Sequence, residues 1–382
     1  MIRHVSTLAR FCRIVLGYNL AVILWGAYVR ASGSGAGCGG HWPLCNGTVM
    51  PRGRSATEWI EYSHRVSSGL VLVLAVVLVL WACRAAPRGH EVRRAAVLVL
   101  VFTLSEAALG AGLVLFRLVA HDESLARALV TGGHLLNTLL LLGALTMALR
   151  AAGGISAGGG GVAAVAGASA TGAGVLGGAS GPAGGGGQPR PLRWQMALGL
   201  AAIMALAATG AVAALGDTLF PAGSLSQGLA ADLSPASHFL VRLRTLHPLL
   251  AVAAGIYLFF LCDHVATAVP AARRDAVRVR LLVLAQGAIG VVNIGLLAPI
   301  WLQLTHLLVA DLLWIALVLM ALACRLPQPA ALPVFTARAD LVEILRSGGP
   351  DPTFFSDIAD LDGGLEELEA RWRDDVYRPS GS

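Results

Sequence analysis

A chain of 382 residues, 56% of them hydrophobic and only 13% charged, with a mean hydropathy of +0.71, is not composed like a water-soluble domain, in which about a quarter of residues are charged. Many of its apolar runs approach the roughly 20 residues needed to cross a bilayer, so the composition points to a polytopic membrane protein. The net charge of +6 therefore carries no suggestion of nucleic acid, and all 28 Lys/Arg positions are arginine.

In chain order, a short basic N-terminus through Arg13 precedes the first apolar run. No small-residue cleavage site follows, which predicts an uncleaved first helix. Eight spans are predicted, near residues 13–30, 62–83, 95–116, 128–149, 194–216, 238–261, 279–298 and 302–323. Residues 151–190, rich in glycine and alanine, cannot bury enough surface to fold and read as a flexible linker. The linker divides the chain into an N-terminal four-helix half, 1–150, and a C-terminal one, 191–325. An acidic tail follows at 326–382, read as a solvated cytoplasmic segment. With the N-terminus inside, fifteen arginines before the tail fall in inner segments and eight in outer segments or helix mouths. That bias predicts both termini in the cytoplasm. It also puts the Gly-rich loop carrying Cys38 and Cys45 outside, where a disulfide can persist. The other four cysteines, Cys12, Cys83, Cys262 and Cys324, lie in or at the ends of apolar segments and read as small hydrophobes.

The two halves repeat. Glu106-Ala107-Ala108-Leu109-Gly110 in the third span resembles Gln286-Gly287-Ala288-Ile289-Gly290 in the seventh. His134 near the start of the fourth span matches His306 in the eighth, and His64 in the second matches His247 in the sixth. Each half thus offers one histidine pair, on two helices that both run from outside to inside. Ionisable groups at membrane depth are expensive and mark function. A haem iron takes two axial imidazoles, and facing helices of a four-helix bundle can supply them. Four histidines in two repeated pairs therefore read as haem ligands. His4, His90, His121 and His264 read as solvated, His238 as interfacial, and His41 is unassigned.

Further residues carry a family resemblance. Arg30-Ala31-Ser32-Gly33-Ser34-Gly35, then Cys38-Gly39-Gly40-His41-Trp42-Pro43-Leu44-Cys45-Asn46-Gly47, resembles the first outer loop of the haem A synthases, of the bacterial type with a loop cysteine pair. Glu61-Tyr62-Ser63-His64-Arg65 is similar to that family's second-helix motif. The resemblance covers roughly residues 14–325. It implies an all-α membrane protein of eight helices, arranged as two pseudo-twofold-related four-helix bundles. It implies an oxidoreductase of the bacterial cytoplasmic membrane that converts haem O to haem A, for terminal oxidase assembly, by oxidising a ring methyl to a formyl group. By position, His64 and His134 would flank the substrate haem, and His247 and His306 would ligate a resident haem b. Glu61 matches the family's functional carboxylate and Cys38 and Cys45 its cysteine pair. Two residues depart from the family pattern: His41, where an acidic residue is usual, and Glu106, where glutamine is usual.

The halves also differ in a chemically readable way. Glu61 stands three residues before His64, where Arg244 stands before His247, and positions three apart share a helix face. Arginine suits haem propionates, whereas a carboxylate suits a site that handles protons or positive charge. Glu61 is therefore the candidate catalytic residue, against the simpler reading of an interfacial ion pair with Arg65 or Arg30. Arg30, Arg65, Arg242 and Arg244 at the helix mouths are candidate propionate partners. Cys38 and Cys45 read as a structural staple or as a redox pair; a zinc site lacks a fourth ligand. Glu106 faces the first-half interior, and neither it nor Asp311 is assigned a role. Candidate partners are haem O, membrane lipid, an electron donor, haem O synthase or oxidase assembly factors, and a second copy of the chain. Two other classes fit parts of the pattern: a dihaem electron-transfer cytochrome, and a transporter with repeated halves.

Overall fold

The computed structural model describes residues 2–53, 55–158 and 190–325. The predicted tail and the middle of the predicted linker lie outside the described residues. Ten α-helices form within them: α1 (Ile2–Ala31), α2 (Ala56–Ala85), α3 (Glu91–Leu115), α4 (Leu125–Gly158), α5 (Arg190–Leu219), α6 (Leu225–Leu233), α7 (Phe239–Leu243), α8 (Leu246–Ala268), α9 (Arg273–Gly295) and α10 (Ile300–Arg325). Eight helical stretches are long and apolar enough to cross a membrane, one at each of the predicted spans. Among the described residues there is no strand beyond an isolated bridge between Cys45 and Thr48. The fold is that of an all-helical, multi-pass membrane protein.

Two local features differ from a simple hairpin series. The sixth span is broken between α7 and α8. Pro248 explains the break, because its ring clashes with the carbonyl four residues back, at Arg244, and it has no N–H to continue the ladder. The loop before it also forms α6, which hydropathy gives no reason to expect. Ser224 caps α6 by accepting from Gln227 N (3.2 Å), and Gln227 Oε1 accepts in turn from Gly223 N (3.3 Å), a variant of the capping box. At the other margin, α4 runs on through Gly158, past the predicted boundary at 150.

Helices α1 to α4 pack as a ring, α1 on α2 and α4, α3 on α2 and α4; α5, α8, α9 and α10 pack on one another in the same sequence. The rings meet through α4 on α5, α4 on α10 and α1 on α10. The ends of α3 and α9 share one cap. Leu118 N bonds to Leu113 O and Ala298 N to Asn293 O, both 2.8 Å, while Arg117 and Leu297 sit at φ 57° and 59°, the left-handed turn that closes a helix with a six-to-one bond.

The packed core lies at one end of the bundle. It is built from Leu8, Cys12 and Val15 of α1, Leu78 and Ala82 of α2, Leu142 and Leu145 of α4, Leu258 and Cys262 of α8, and Leu317 and Met320 of α10. Outward stripes such as Leu249, Val252, Ile256 and Phe260 on α8 stay exposed. Their three-to-four spacing presents one apolar face to lipid. All four repeated histidines lie toward the other end, within the first three turns of α2, α4, α8 and α10.

Candidate functional site

Each of the four histidines lies against a glycine on the preceding membrane-spanning helix. A Cβ added at Gly26 of α1 would stand 2.8 Å from His64 Cε1, and one at Gly210 of α5 would stand 2.9 Å from His247 Cε1. One at Gly290 of α9 would stand 3.3 Å from His306 Cε1, and one at Gly110 of α3 would stand 3.6 Å from His134 Nε2. Four glycine notches thus admit four imidazole rings, most tightly at Gly26 and Gly210.

In the C-terminal ring, His247 and His306 come together, with ring centroids 6.4 Å apart and planes at 83°. His247 Nδ1 lies 3.2 Å from Leu206 O and 3.3 Å from Thr209 Oγ1. A histidine whose Nδ1–H is held by a backbone carbonyl presents Nε2 to a metal. Among the described residues, His306 Nδ1 is buried without a hydrogen-bond partner, as is His64 Nδ1. Orphaned imidazole nitrogens beside glycine notches fit a haem-ligating role in both rings. Two open cavities, about 380 Å³ and 330 Å³, are lined by none of these four histidines.

His134 has a polar neighbour that sequence patterns did not assign. Its Nδ1 contacts Glu106 Oε2, and Thr138, one turn further along α4, donates to Glu106 Oε1 at 2.7 Å.

The loop between α1 and α2 is folded onto the start of α2. Cys38 and Cys45 form a disulfide, with Cα atoms 4.3 Å apart, and both are buried. Asn46 and Gly47, at φ 49° and 78°, make the tight turn between Cys45 and Thr48, whose backbones exchange two 2.9 Å bonds; this is the Asn-Gly hairpin turn that needs positive φ twice. The Trp42–Pro43 bond is cis. Glu61 is buried beneath this loop. Its Oε2 accepts from Cys38 N (2.8 Å), and its Oε1 pairs with Arg65 (2.6 Å). Arg65 also donates to the carbonyls of His41 and Leu44. One turn earlier, Glu58 is also buried and accepts from Asn46 Nδ2 at 3.1 Å. The one sequence signal for Glu58 is its three-residue spacing from Glu61, which puts both carboxylates on one helix face.

The four helix-mouth arginines go to different places. Arg30 crosses from α1 to the other ring, donating to Ala214 O (2.8 Å), Thr218 Oγ1 (3.0 Å) and Gln303 Oε1 (3.3 Å). Arg65 braces the loop. Arg244 does not share a helix with His247, because the α7–α8 break intervenes. It pairs instead with Asp217 (3.1 Å) and Asp232 (2.7 Å) and packs its stem against Gly216. Arg242 is exposed, with one 3.5 Å bond to Pro235 O.

Two of the remaining histidines cap helices: His90 caps α3 by accepting from Val92 N, and His238 caps α7 by accepting from Leu240 N. His121, His264 and His41 are exposed. Asp311 is fully buried on α10, and neither carboxylate oxygen has a hydrogen-bond partner among the described residues.

A family model described as cytochrome oxidase assembly protein matches residues 9–318. This chain belongs to the haem A synthase family. It is 41% identical over 95 residues to a protein named Heme A synthase from Halalkalibacterium halodurans, covering 25% of this chain and 32% of that one. It is 35% identical over 142 residues to the Heme A synthase of Exiguobacterium sibiricum, covering 37% and 46%. A longer match, 43% identical over 325 residues, is to a Thermus thermophilus protein named Protoheme IX farnesyltransferase, covering 83% of this chain and 48% of that one. The chain therefore spans about half the length, or less, of these curated relatives. All four glycine-seated histidines lie within the residues that the family model matches.

Proposed function

We propose that this protein is a haem A synthase that oxidises a ring methyl of haem O to the formyl group of haem A. The observation that carries the reading is the set of two histidine pairs, each ring seated on a glycine, in a chain of that family. In this reading the helix rings are pseudo-twofold-related halves. His64 and His134 hold the substrate haem in the first; His247 and His306 hold haem b in the second. The repeated helix contacts and helix caps support that division. The haem irons, when bound, supply the redox chemistry.

The chain's own contribution is positional and electrostatic. Glu61 is the carboxylate beside His64. Held by Cys38 N–H and Arg65, it keeps one position while the substrate methyl loses electrons, and it offers negative charge or a proton acceptor there. Nothing comparable stands before His247, because Arg244 is consumed by two aspartates. That asymmetry supports placing the chemistry in the first half. The arginine distribution supports a cytoplasmic-membrane protein with both termini inside and the disulfide loop outside. The name of the Thermus relative supports the same substrate: farnesyl transfer to protohaem is the class of reaction that makes haem O.

Expression of the chain in cells supplied with haem O, followed by pigment extraction, tests the reading. Haem A in the extract supports it. Two stable b-type haems without haem A would favour an electron-transfer cytochrome, and no haem would exclude both. Glu61→Gln is expected to abolish haem A formation while both haems are retained; full haem A output from this variant would remove Glu61 from the chemistry.

A further inference from the structure

The two histidine sites differ by a pair of residues outside the expected ligand set. On α3, Glu106 reaches His134 Nδ1, and Thr138 donates to the other oxygen of Glu106 at 2.7 Å. At the matching place on α9 stands Gln286, four residues before Gly290 as Glu106 is four before Gly110. Its amide Nε2 lies 3.1 Å from His306 Nε2. The residue one turn after His306 is Ala310, where Thr138 stands after His134. One site thus has a carboxylate locked by a hydroxyl on its histidine, and the other has a neutral amide and a methyl group.

We propose that Glu106, steered by Thr138, is the positioning residue of the first-half site, fixing the His134 ring through Nδ1 and making its Nε2 the stronger axial donor of the two halves. The inference rests on the reading that His134 is a haem ligand. A carboxylate at this depth is costly unless its charge is used, and here Oε1 accepts from a hydroxyl while Oε2 stands in ion-pair contact with an imidazole. A carboxylate that accepts Nδ1–H fixes the tautomer and raises the basicity of the opposite nitrogen. Among the described residues no protein group hydrogen-bonds to His134 Nε2, which lies over Gly110. A more basic axial nitrogen favours the oxidised iron, so a hydrogen bond behind the axial imidazole acts on the potential of the haem. The first-half haem is then the lower-potential partner. Neighbouring polar contacts keep α3 and α4 in register: Ser105 Oγ donates to Asn137 Oδ1 (2.7 Å) and Asn137 Nδ2 to Phe102 O (2.9 Å). The α9–α10 seam has Ala285 and Val309 instead.

The test is redox titration of the purified, haem-loaded protein, with each haem assigned by its histidine variant (His134→Ala, His306→Ala). Glu106→Gln is expected to raise the midpoint potential of the first-half haem and leave the second unchanged, with haem A output falling about tenfold or more. Thr138→Val is expected to move the same potential in the same direction by less. Gln286→Glu is expected to lower the potential of the second haem. This last variant leaves the first site intact and stands as the test if Glu106→Gln fails to assemble. Unchanged potentials in Glu106→Gln with the site occupied, or in Gln286→Glu, would overturn the proposal. If His134→Ala removes no haem signal, the ligand reading itself fails, a result separate from either.

Discussion

At the scale of single residues, the glycines do as much to define the sites as the histidines. Gly26 and Gly210 leave a notch that a methyl group would close to 2.8 Å and 2.9 Å from an imidazole carbon, distances that require the ring or the backbone to move. Gly26→Ala is expected to lower haem occupancy at the first site only, and Gly210→Ala at the second only. Quantifying extracted haem and the spectrum of each variant checks this. Gly110, with 3.6 Å of clearance, is expected to tolerate alanine better than either. The histidines themselves were legible in the sequence because an imidazole in an apolar span is rare and costly. Their glycine partners were not, because small residues are common in packed membrane helices and only the packing says which of them face a ring.

Among the structural elements, the disulfide loop and the α7–α8 break carry most of the consequence. The loop is bonded to α2 through Glu58, Glu61 and Arg65, so it depends on more than its covalent closure. Replacing Cys38 and Cys45 together by serine is expected to cost about 2–3 kcal/mol, read as a lower melting temperature of the purified protein. With both residues buried, Cys38 and Cys45 are expected to resist alkylation after mild reduction, in a Cys83→Ser background because Cys83 is exposed, and to label only when the loop is opened by denaturant. That outcome would favour the staple over an exchangeable redox pair. The break at Pro248 separates Arg244 from His247 and leaves its guanidinium to Asp217 and Asp232. Removing one partner from such a mostly buried set costs about 3 kcal/mol or more, so Arg244→Ala is expected to unfold α6 and α7 from the bundle. Proteolysis within 220–238 would show it. Neither the break's effect on Arg244 nor α6 could be read from spacing, since the i, i+3 rule assumes one continuous helix.

At the scale of the whole molecule, polar bonds between described residues tie the two rings. Arg30 reaches from α1 to α5 and α10, and Trp314 of α10 donates to Leu139 O of α4 at 2.6 Å. Hydrogen bonds from a charged group are worth about 1.5–3 kcal/mol, so Arg30→Met is expected to lower the melting temperature and to loosen both haem sites at once. Simultaneous loss of both haems on mild heating, rather than loss of one, is the expected signature. The proposed orientation, with the N-terminus in the cytoplasm, is checked separately. Alkaline phosphatase fused within residues 46–53 is expected to be active, and fused at 86–90 inactive.

The chain's primary structure by itself determined the membrane class, the eight spans, the two histidine pairs and the cysteine pair. These are legible because hydropathy and side-chain chemistry are local properties that a bilayer reads directly. Only the tertiary structure decided what the charged residues do. Whether Glu106 meets His134, Arg30 crosses to the other ring, or Glu58 and Glu61 lie under the loop depends on which helix faces are neighbours. Residues far apart in the chain set those neighbours by packing, and no local pattern encodes them.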